Sequence, residues 1–151
     1  MKRSILLGIF LLVVLMLSAC NANVIETPQP VDVLFGGDMT DTKRLMNSLS
    51  STGATVESIG DVQQDFFSVQ GQLIRLLGGE VQVYEYPDEA SAQAEAQLIA
   101  ADGSSVGTHM MMWLDTPHFF HQGTLIVLYL GGDENVLGML EALLGPQLAG
   151  G

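Results

Sequence analysis

One short segment restricts the fold more than any other: residues 125–130 (LIVLYL) are apolar at every position. A strand with one solvent-exposed face alternates apolar and polar side chains, whereas a strand buried on both faces is apolar throughout. Gly123 precedes the segment, and Gly131-Gly132 follows it, so turns bound it on both sides. We therefore predict a central strand with other parts of the chain packed on each of its faces.

Apolar spacing and turn residues place further elements around this strand. Asp38 to Leu49 is predicted to be a helix that Thr40 or Asp41 caps and Gly53 ends. Two more helices are predicted, one from Asp88-Glu89 to about Ala101 and one from Asp133-Glu134 to Gly145-Pro146. Strands are predicted over residues 54–60, 66–77, 80–86, 108–114, 117–122 and 124–130.

Two glycine positions refine the predicted strands. Gly71 is interpreted as a bulge or turn within the second strand, and Gly78-Gly79 as a two-residue hairpin turn. The sequence thus predicts a single α+β domain over residues 38–151, with helices packed on an antiparallel sheet. Each half passes from strands through an acidic turn to a helix, which suggests a βββα pseudo-repeat.

The beginning of the chain does not belong to this domain. Met1-Lys2-Arg3 is basic, and the run from Ile5 to Leu17 is apolar apart from Gly8. A helix needs about 20 apolar residues to span a bilayer, and this run is clearly shorter. We interpret residues 1–19 as a signal peptide and not as a permanent transmembrane helix.

The residues that follow the apolar run carry a lipidation motif. Leu17-Ser18-Ala19-Cys20 resembles the lipobox of bacterial lipoproteins. This resemblance implies that the Cys20 sulfur receives a diacylglyceryl group and that signal peptidase II cuts before it. A thiolate is the nucleophile that such a transfer needs, and two acyl chains or more give a stable membrane anchor.

The single cysteine and the net charge limit the kinds of site and partner that the exported chain can have. Cys20 is the only cysteine, so an internal disulfide and a Cys-based zinc or redox motif are excluded. Loss of Lys2 and Arg3 leaves three basic side chains against 17 acidic ones, a net charge of −14. Such a chain repels nucleic acid and anionic headgroups, so the lipid must hold it at the membrane.

Residues 20–37 are predicted to be the lipidated cysteine and a flexible tether. Asn21 to Pro30 is polar and contains two prolines, and ten residues reach at most ~35 Å. The expected location is extracytoplasmic, on the cell membrane or, since Asn21 is not aspartate, on the outer membrane of a two-membrane bacterium.

The folded part also carries a resemblance of its own. GSSVGT, a tryptophan, TPHFF, a glycine, LIVLY and LEALLGP succeed one another along residues 103–146. Together they resemble the small exported domains of bacterial lipoproteins. The resemblance implies this class of protein and no particular activity.

A cluster of methionine and histidine suggests a metal site. If Asp115-Thr116 is a two-residue turn, Met110 lies opposite His121, and Met112 lies diagonal to it. The same pairing places Trp113 beside His118. Thioether sulfur suits Cu(I), so Met110, Met112 and His121 form a candidate copper site. Methionine more often fills gaps in cores, and core packing is the favoured interpretation.

Two further patterns have simpler explanations than catalysis. Gly103 to Gly107 matches G-x-S-x-G with Ser105 as nucleophile, but that motif needs a strand before the serine and a helix after it. The order predicted here is the reverse. Asp88-Glu89 and Asp133-Glu134 are explained by helix starts.

The sequence thus favours a membrane-anchored, non-enzymatic domain without a cofactor that binds an envelope protein or a small ligand. The alternatives are an envelope copper-binding protein and, less favoured, a serine hydrolase.

Overall fold

The computed structural model describes residues 41–151. Within that range the chain forms three helices, α1 (Thr42–Ser51), α2 (Glu89–Ala96) and α3 (Glu134–Leu144). It also forms eight strands, namely β1 (Val56–Val62), β2 (Gly71–Leu76), β3 (Gly79–Glu85), β4 (Ser105–Val106), β5 (His109–Met110), β6 (Pro117–Gln122), β7 (Leu125–Leu130) and β8 (Ala149–Gly150). Cys20, the predicted signal peptide and the predicted tether lie outside the described residues.

Six of these strands form one antiparallel sheet, which confirms the predicted α+β class. The order across the sheet is β1-β2-β3-β7-β6-β8, while β4 and β5 pair with each other in a separate two-stranded sheet. No helix within residues 41–151 combines the length and the apolar composition needed to cross a bilayer.

The apolar segment at residues 125–130 is an interior strand, as predicted. β7 lies between β3 and β6, and its residues 125–129 are buried. Because side chains alternate along a strand, Val127 points to one face of the sheet and Ile126 and Leu128 to the other. Complete burial of such a side chain stabilises the fold by about 1.5–3 kcal/mol.

The two faces of the sheet carry separate apolar clusters. The first cluster packs the sheet against α1 and α3, through Leu45 and Leu49 on α1 and through Leu140 on α3. The second packs the opposite face against α2 and the connecting segments, with Ala92 and Phe67 among its buried members. The alanines of α2 let that helix approach the sheet closely, as its sequence predicts.

Each helix starts at an aspartate. The side chains of Asp41, Asp88 and Asp133 accept hydrogen bonds from backbone N–H groups two or three residues further on, at 2.6–2.8 Å. These bonds satisfy donors that a helix start leaves unpaired. The bond from the Ser91 backbone holds the pKa of Asp88 below its ordinary value, and the bond from Asn135 does the same for Asp133. The predicted starts at Asp88 and Asp133 are therefore confirmed, and of the two caps predicted for the first helix Asp41 is the one observed.

The turn between β2 and β3 differs from the prediction by one residue. Leu77 and Gly78 are its central residues, and both have a positive φ, 52° and 91°. Two positive φ angles match the twist of a hairpin. Gly79 belongs to β3 instead, where an added Cβ would lie 3.1 Å from the Tyr129 ring.

Gly71 is also not the predicted bulge. It begins β2 and pairs with Tyr84, whose ring covers it: an added Cβ would lie 2.6 Å from Tyr84 Cε1. The irregularity in register lies in β1, between Ser58 and Gly60. The predicted strand start at Phe66 is also wrong. Residues 63–70 form a loop, and the aromatic rings of that loop pack against the second face of the sheet.

The suggested βββα pseudo-repeat is limited to the order of elements. β2, β3 and α2 in the first half correspond to β6, β7 and α3 in the second. Because β3 and β7 are antiparallel, a two-fold axis that exchanges them is perpendicular to the sheet and would place both helices on the same face. Instead, α2 and α3 pack on opposite faces, so the two halves are not related by this symmetry. The predicted strand at 108–114 is wrong beyond Met110, and β5 lies outside the large sheet.

Candidate functional site

Three large apolar side chains within residues 110–114 are almost completely exposed. Met110, Met112 and Leu114 have relative exposures of 81%, 99% and 102%. We call these three side chains the methionine strip. Met111 and Trp113, which alternate with them, pack against the second apolar cluster. The segment thus has the alternation of a strand with one face on a core, but its outward face is apolar.

Hydrogen bonds fix the segment that carries the strip. The Met111 backbone N–H donates to the Ser104 carbonyl at 2.9 Å, and the Trp113 Nε1–H donates to the Gly103 carbonyl at 2.7 Å. At the far end, the Gly131 N–H donates to the Thr116 carbonyl at 3.0 Å. The strip is therefore held at both ends and at its centre.

Aromatic rings form a firm base beneath the strip. The Trp113 ring meets Phe66 at 5.8 Å and Phe119 at 6.0 Å between centroids, both edge to face. Phe67 extends the group to Tyr84 at 4.5 Å. Such pairs contribute about 0.5–1.5 kcal/mol each beyond their burial, so ordering of the segment does not depend on the exposed side chains.

The loop that supplies Phe66 and Phe67 is tied to α2. Glu95 Oε2 accepts a hydrogen bond from the Tyr86 hydroxyl at 3.2 Å and from the Ser68 backbone N–H at 3.4 Å. Burial, reinforced by the Glu95 charge, raises the pKa of Tyr86 far above its ordinary value. The Tyr86 hydroxyl consequently stays protonated and donates to Glu95 throughout the physiological range.

One backbone edge of the strip is open. β5 pairs with β4 only, and among the described residues the backbone groups of Met112 and Leu114 have no hydrogen-bond partner. In an antiparallel ladder successive residues point their backbone groups to opposite sides. Because Met111 bonds to the β4 side, the N–H and C=O groups of Met110 and Met112 point away from it.

The pairing that suggested a Met–His site is wrong. Met110 pairs with Ser105 in the small sheet, while His121 pairs with Ile126 in the large one. Tertiary packing of Trp113 onto Phe119 replaces the predicted hairpin. Both methionines of the proposed site are exposed, so their expected core packing is also wrong.

The histidines are accordingly separated. His118 is not beside Trp113: its ring is buried, stacks on Tyr129 at 6.1 Å, and its Nδ1 lies 2.7 Å from Gln147 Oε1. His121 Nε2 is buried without a partner among the described residues. Within residues 41–151 no three side chains of His, Cys, Asp or Glu lie together as a metal site would require. Copper binding by Met110, Met112 and His121 remains a prediction.

Ser105 lies in a hairpin and not in a nucleophile elbow. It belongs to β4, after α2 and before β5, so the strand-then-helix order that the elbow needs is not present around it. The neighbouring Ser104 donates its hydroxyl to Asp102 at 2.7 Å and its backbone N–H at 3.0 Å. These bonds lower the pKa of Asp102 and stabilise the turn that presents the Gly103 carbonyl to Trp113.

One shallow surface depression is polar. Thr42, Asp61, Gln72 and Glu85 line part of a shallow cavity of about 270 Å³. Glu85 Oε2 accepts hydrogen bonds from the Thr42 backbone at 3.0 Å and from its hydroxyl at 2.9 Å. This carboxylate therefore serves to hold α1 against β3, and the methionine strip is the stronger candidate for a binding site.

The charge around the strip is acidic. Asp65 adjoins Phe66 in sequence, Asp102 adjoins Gly103, and Asp115 adjoins Leu114. No lysine or arginine follows Arg75 in the chain.

Comparison with protein-family models, curated proteins and solved structures gives no match to this chain.

The sequence signal for this site was the run His109 to Leu114 itself. Every residue from Met110 to Leu114 is apolar, so residue type alone does not show which alternate side chains face inward. The expected partner strand assigns Met110 and Met112 to the core. Only the packing of Trp113 against Phe66 and Phe119 decides which alternate residues face inward.

Proposed function

We propose that this chain is an exported bacterial lipoprotein whose folded part is a non-enzymatic binding domain of the cell envelope. Cys20 is its lipid anchor, and the methionine strip is its binding surface. The anchor is supported by the sequence Leu17-Ser18-Ala19-Cys20 after an apolar leader. The binding role is supported by the structure of residues 107–116.

The exposure of the strip is the observation that carries the binding role. A lone exposed apolar side chain is ordinary, whereas a contiguous apolar patch marks an interaction surface. Here the side chains of Met110, Met112 and Leu114 line up on a segment whose alternate residues are packed. A rigid base reduces the conformational entropy that binding would cost.

Mass analysis of protein made in a bacterial host tests the anchor. We expect a mature chain that begins at residue 20 and carries a diacylglyceryl group on sulfur. Replacement Cys20→Ser should leave the leader in place and prevent lipidation. An unmodified residue 20 in the unaltered chain would refute the anchor without touching the binding surface.

Site-directed photocrosslinking in intact cells tests the binding surface. A photoreactive residue at position 112 should give an adduct of defined mass, and the adduct should disappear when Met110→Gln and Leu114→Gln are introduced together. The control position is Leu148, also apolar and 43% exposed but away from the strip in sequence. Equal labelling from positions 112 and 148 would contradict a specific surface.

Copper binding is the second candidate, and the exposure of both thioether groups favours it. Sulfur atoms held in a core would be unavailable as ligands, whereas those of Met110 and Met112 are accessible. Leucine preserves apolar area and removes sulfur. A copper site therefore predicts that Met110→Leu with Met112→Leu abolishes Cu(I) binding, while a docking surface predicts that this variant still binds its partner.

The copper measurement is a competition titration of the full chain against a Cu(I) chelator. Binding weaker than about micromolar in the unaltered chain would eliminate this candidate.

A further inference from the structure

The methionine strip has two properties of an edge strand that is missing its neighbour. Its side chains alternate between the core and solvent, and the backbone groups of Met110 and Met112 point to an open edge. Natural proteins usually protect such edges with charged side chains, proline or a covering loop. Residues 110–114 have none of these on the exposed face.

The open backbone edge distinguishes between the occupants that an apolar surface could have. Insertion into a bilayer would carry the N–H and C=O groups of Met110 and Met112 toward hydrocarbon without partners, which is costly. An extended peptide would instead satisfy these groups with its own backbone while its side chains cover the strip. The geometry therefore favours a peptide over a lipid surface.

Charge selects the kind of peptide. Asp65, Asp102 and Asp115 adjoin the segments that build the site, and the whole chain carries 17 acidic side chains against 5 basic ones. An acidic partner would be repelled, and a basic one attracted. A second copy of this acidic chain is a poor occupant for the same reason.

We infer that the methionine strip binds an extended, cationic peptide segment by β-strand addition at the backbone of Met110 and Met112. The inference rests on the proposed function, because it names the partner class of that same surface. Alternate apolar side chains of the partner lie against Met110, Met112 and Leu114, and its basic side chains meet the acidic surroundings. Its backbone pairs with the free groups of Met110 and Met112.

Three synthetic probes separate charge, side chains and backbone. The first is an eight-residue peptide of alternating lysine and valine, and the second replaces each lysine with glutamate. The third keeps lysine and valine but is N-methylated at every residue, which removes the backbone donors along both edges of the peptide. Fluorescence anisotropy measures each against the full chain held in phosphatidylcholine nanodiscs, with empty nanodiscs as the blank.

We expect the lysine–valine peptide to bind roughly tenfold or more tightly than either of the other two probes. Met110→Gln with Met112→Gln should weaken its binding by a similar factor, and Leu148→Gln should leave it unchanged. Equal binding of the N-methylated probe would refute strand addition. Equal binding to the Met110→Gln, Met112→Gln variant would show that the peptide binds elsewhere by charge.

A lipid occupant has its own outcome. If a photoreactive residue at position 112 labels phosphatidylcholine in the nanodisc and the lysine–valine peptide does not compete, the inference is overturned in favour of the bilayer. The proposed function fails separately, through an unlipidated residue 20 or through position 112 labelling no more specifically than position 148.

Discussion

Consecutive side chains in residues 110–114 alternate between solvent and the core, although residues 110, 111 and 112 are all methionine. Met111 packs inward beside Trp113, while Met110 and Met112 reach solvent. A thioether in a core is protected from oxidants, whereas an exposed one reacts readily and becomes polar. The reactivity of each methionine toward oxidants therefore depends on which face of the segment carries its side chain.

Mild peroxide treatment should accordingly oxidise the strip first. We expect Met112 and Met110 to gain one oxygen atom before Met111 and Met139, which are only partly exposed. The polar sulfoxides should weaken binding of the lysine–valine peptide. Peptide mass spectrometry over a time course measures the order, and the Met110→Leu, Met112→Leu variant is the resistant control. Uniform oxidation of all four would contradict the alternation.

At the scale of elements, β7 determines the arrangement of layers. It separates the two apolar clusters and pairs with β3 on one side and β6 on the other. A side chain on this strand is enclosed by sheet neighbours and by a covering layer, so little room exists for relaxation after truncation.

Truncation of Leu128 should therefore be far more costly than truncation of an exposed leucine. We expect Leu128→Ala to lower the free energy of unfolding by about 2–5 kcal/mol, because a cavity remains in a fully buried site. The matched control Leu114→Ala removes the same atoms at 102% exposure and should change it by about 0.5 kcal/mol or less. Chemical denaturation of both variants measures the difference. Similar losses would mean that residues 110–114 are packed in solution.

For the whole molecule, the fold class followed from local patterns because those patterns agreed with tertiary structure. The apolar run of β7, the aspartates at the three helix starts and Gly145 after α3 each specify a feature within a few residues. The small β4–β5 hairpin could not be predicted in this way. Its register depends on the side chain of Trp113, which bonds to Gly103 across the hairpin. The same side chain packs against Phe66 and Phe119, which lie outside the hairpin.

The candidate site was predicted only in part for the same reason. Residue type alone indicates its methionines, but pairing of Met110 with His121 requires that segments adjacent in sequence form adjacent strands. The chain instead folds residues 111–116 over the second cluster before β6 enters the sheet.

Acid should destabilise the whole domain through the starts of α2 and α3. The pKa of Asp88 and Asp133 lies below the ordinary 3.8 in the folded state, so their stabilisation is present above pH 3.8 and is lost as the pH falls toward the folded value. We expect Asp88→Asn with Asp133→Asn to reduce the slope of unfolding free energy against pH below about 4, since asparagine caps without titrating.

Urea denaturation at a series of pH values provides the measurement. Glu141→Gln is the control, because this exposed residue of α3 caps no helix. An unchanged slope in the double asparagine variant would contradict the assigned role of the two caps.

The position of β7 in the large sheet also affects how the chain can acquire its fold. β3 is adjacent to β7 in space, but α2, β4, β5 and β6 lie between them in sequence. A chain that emerges amino end first therefore presents β1, β2 and β3 before their central neighbour exists. Contacts so distant in sequence slow folding, and uncovered sheet surfaces tend to associate meanwhile. The two apolar clusters therefore cannot form completely until the last third of the chain, which contains β7, has emerged.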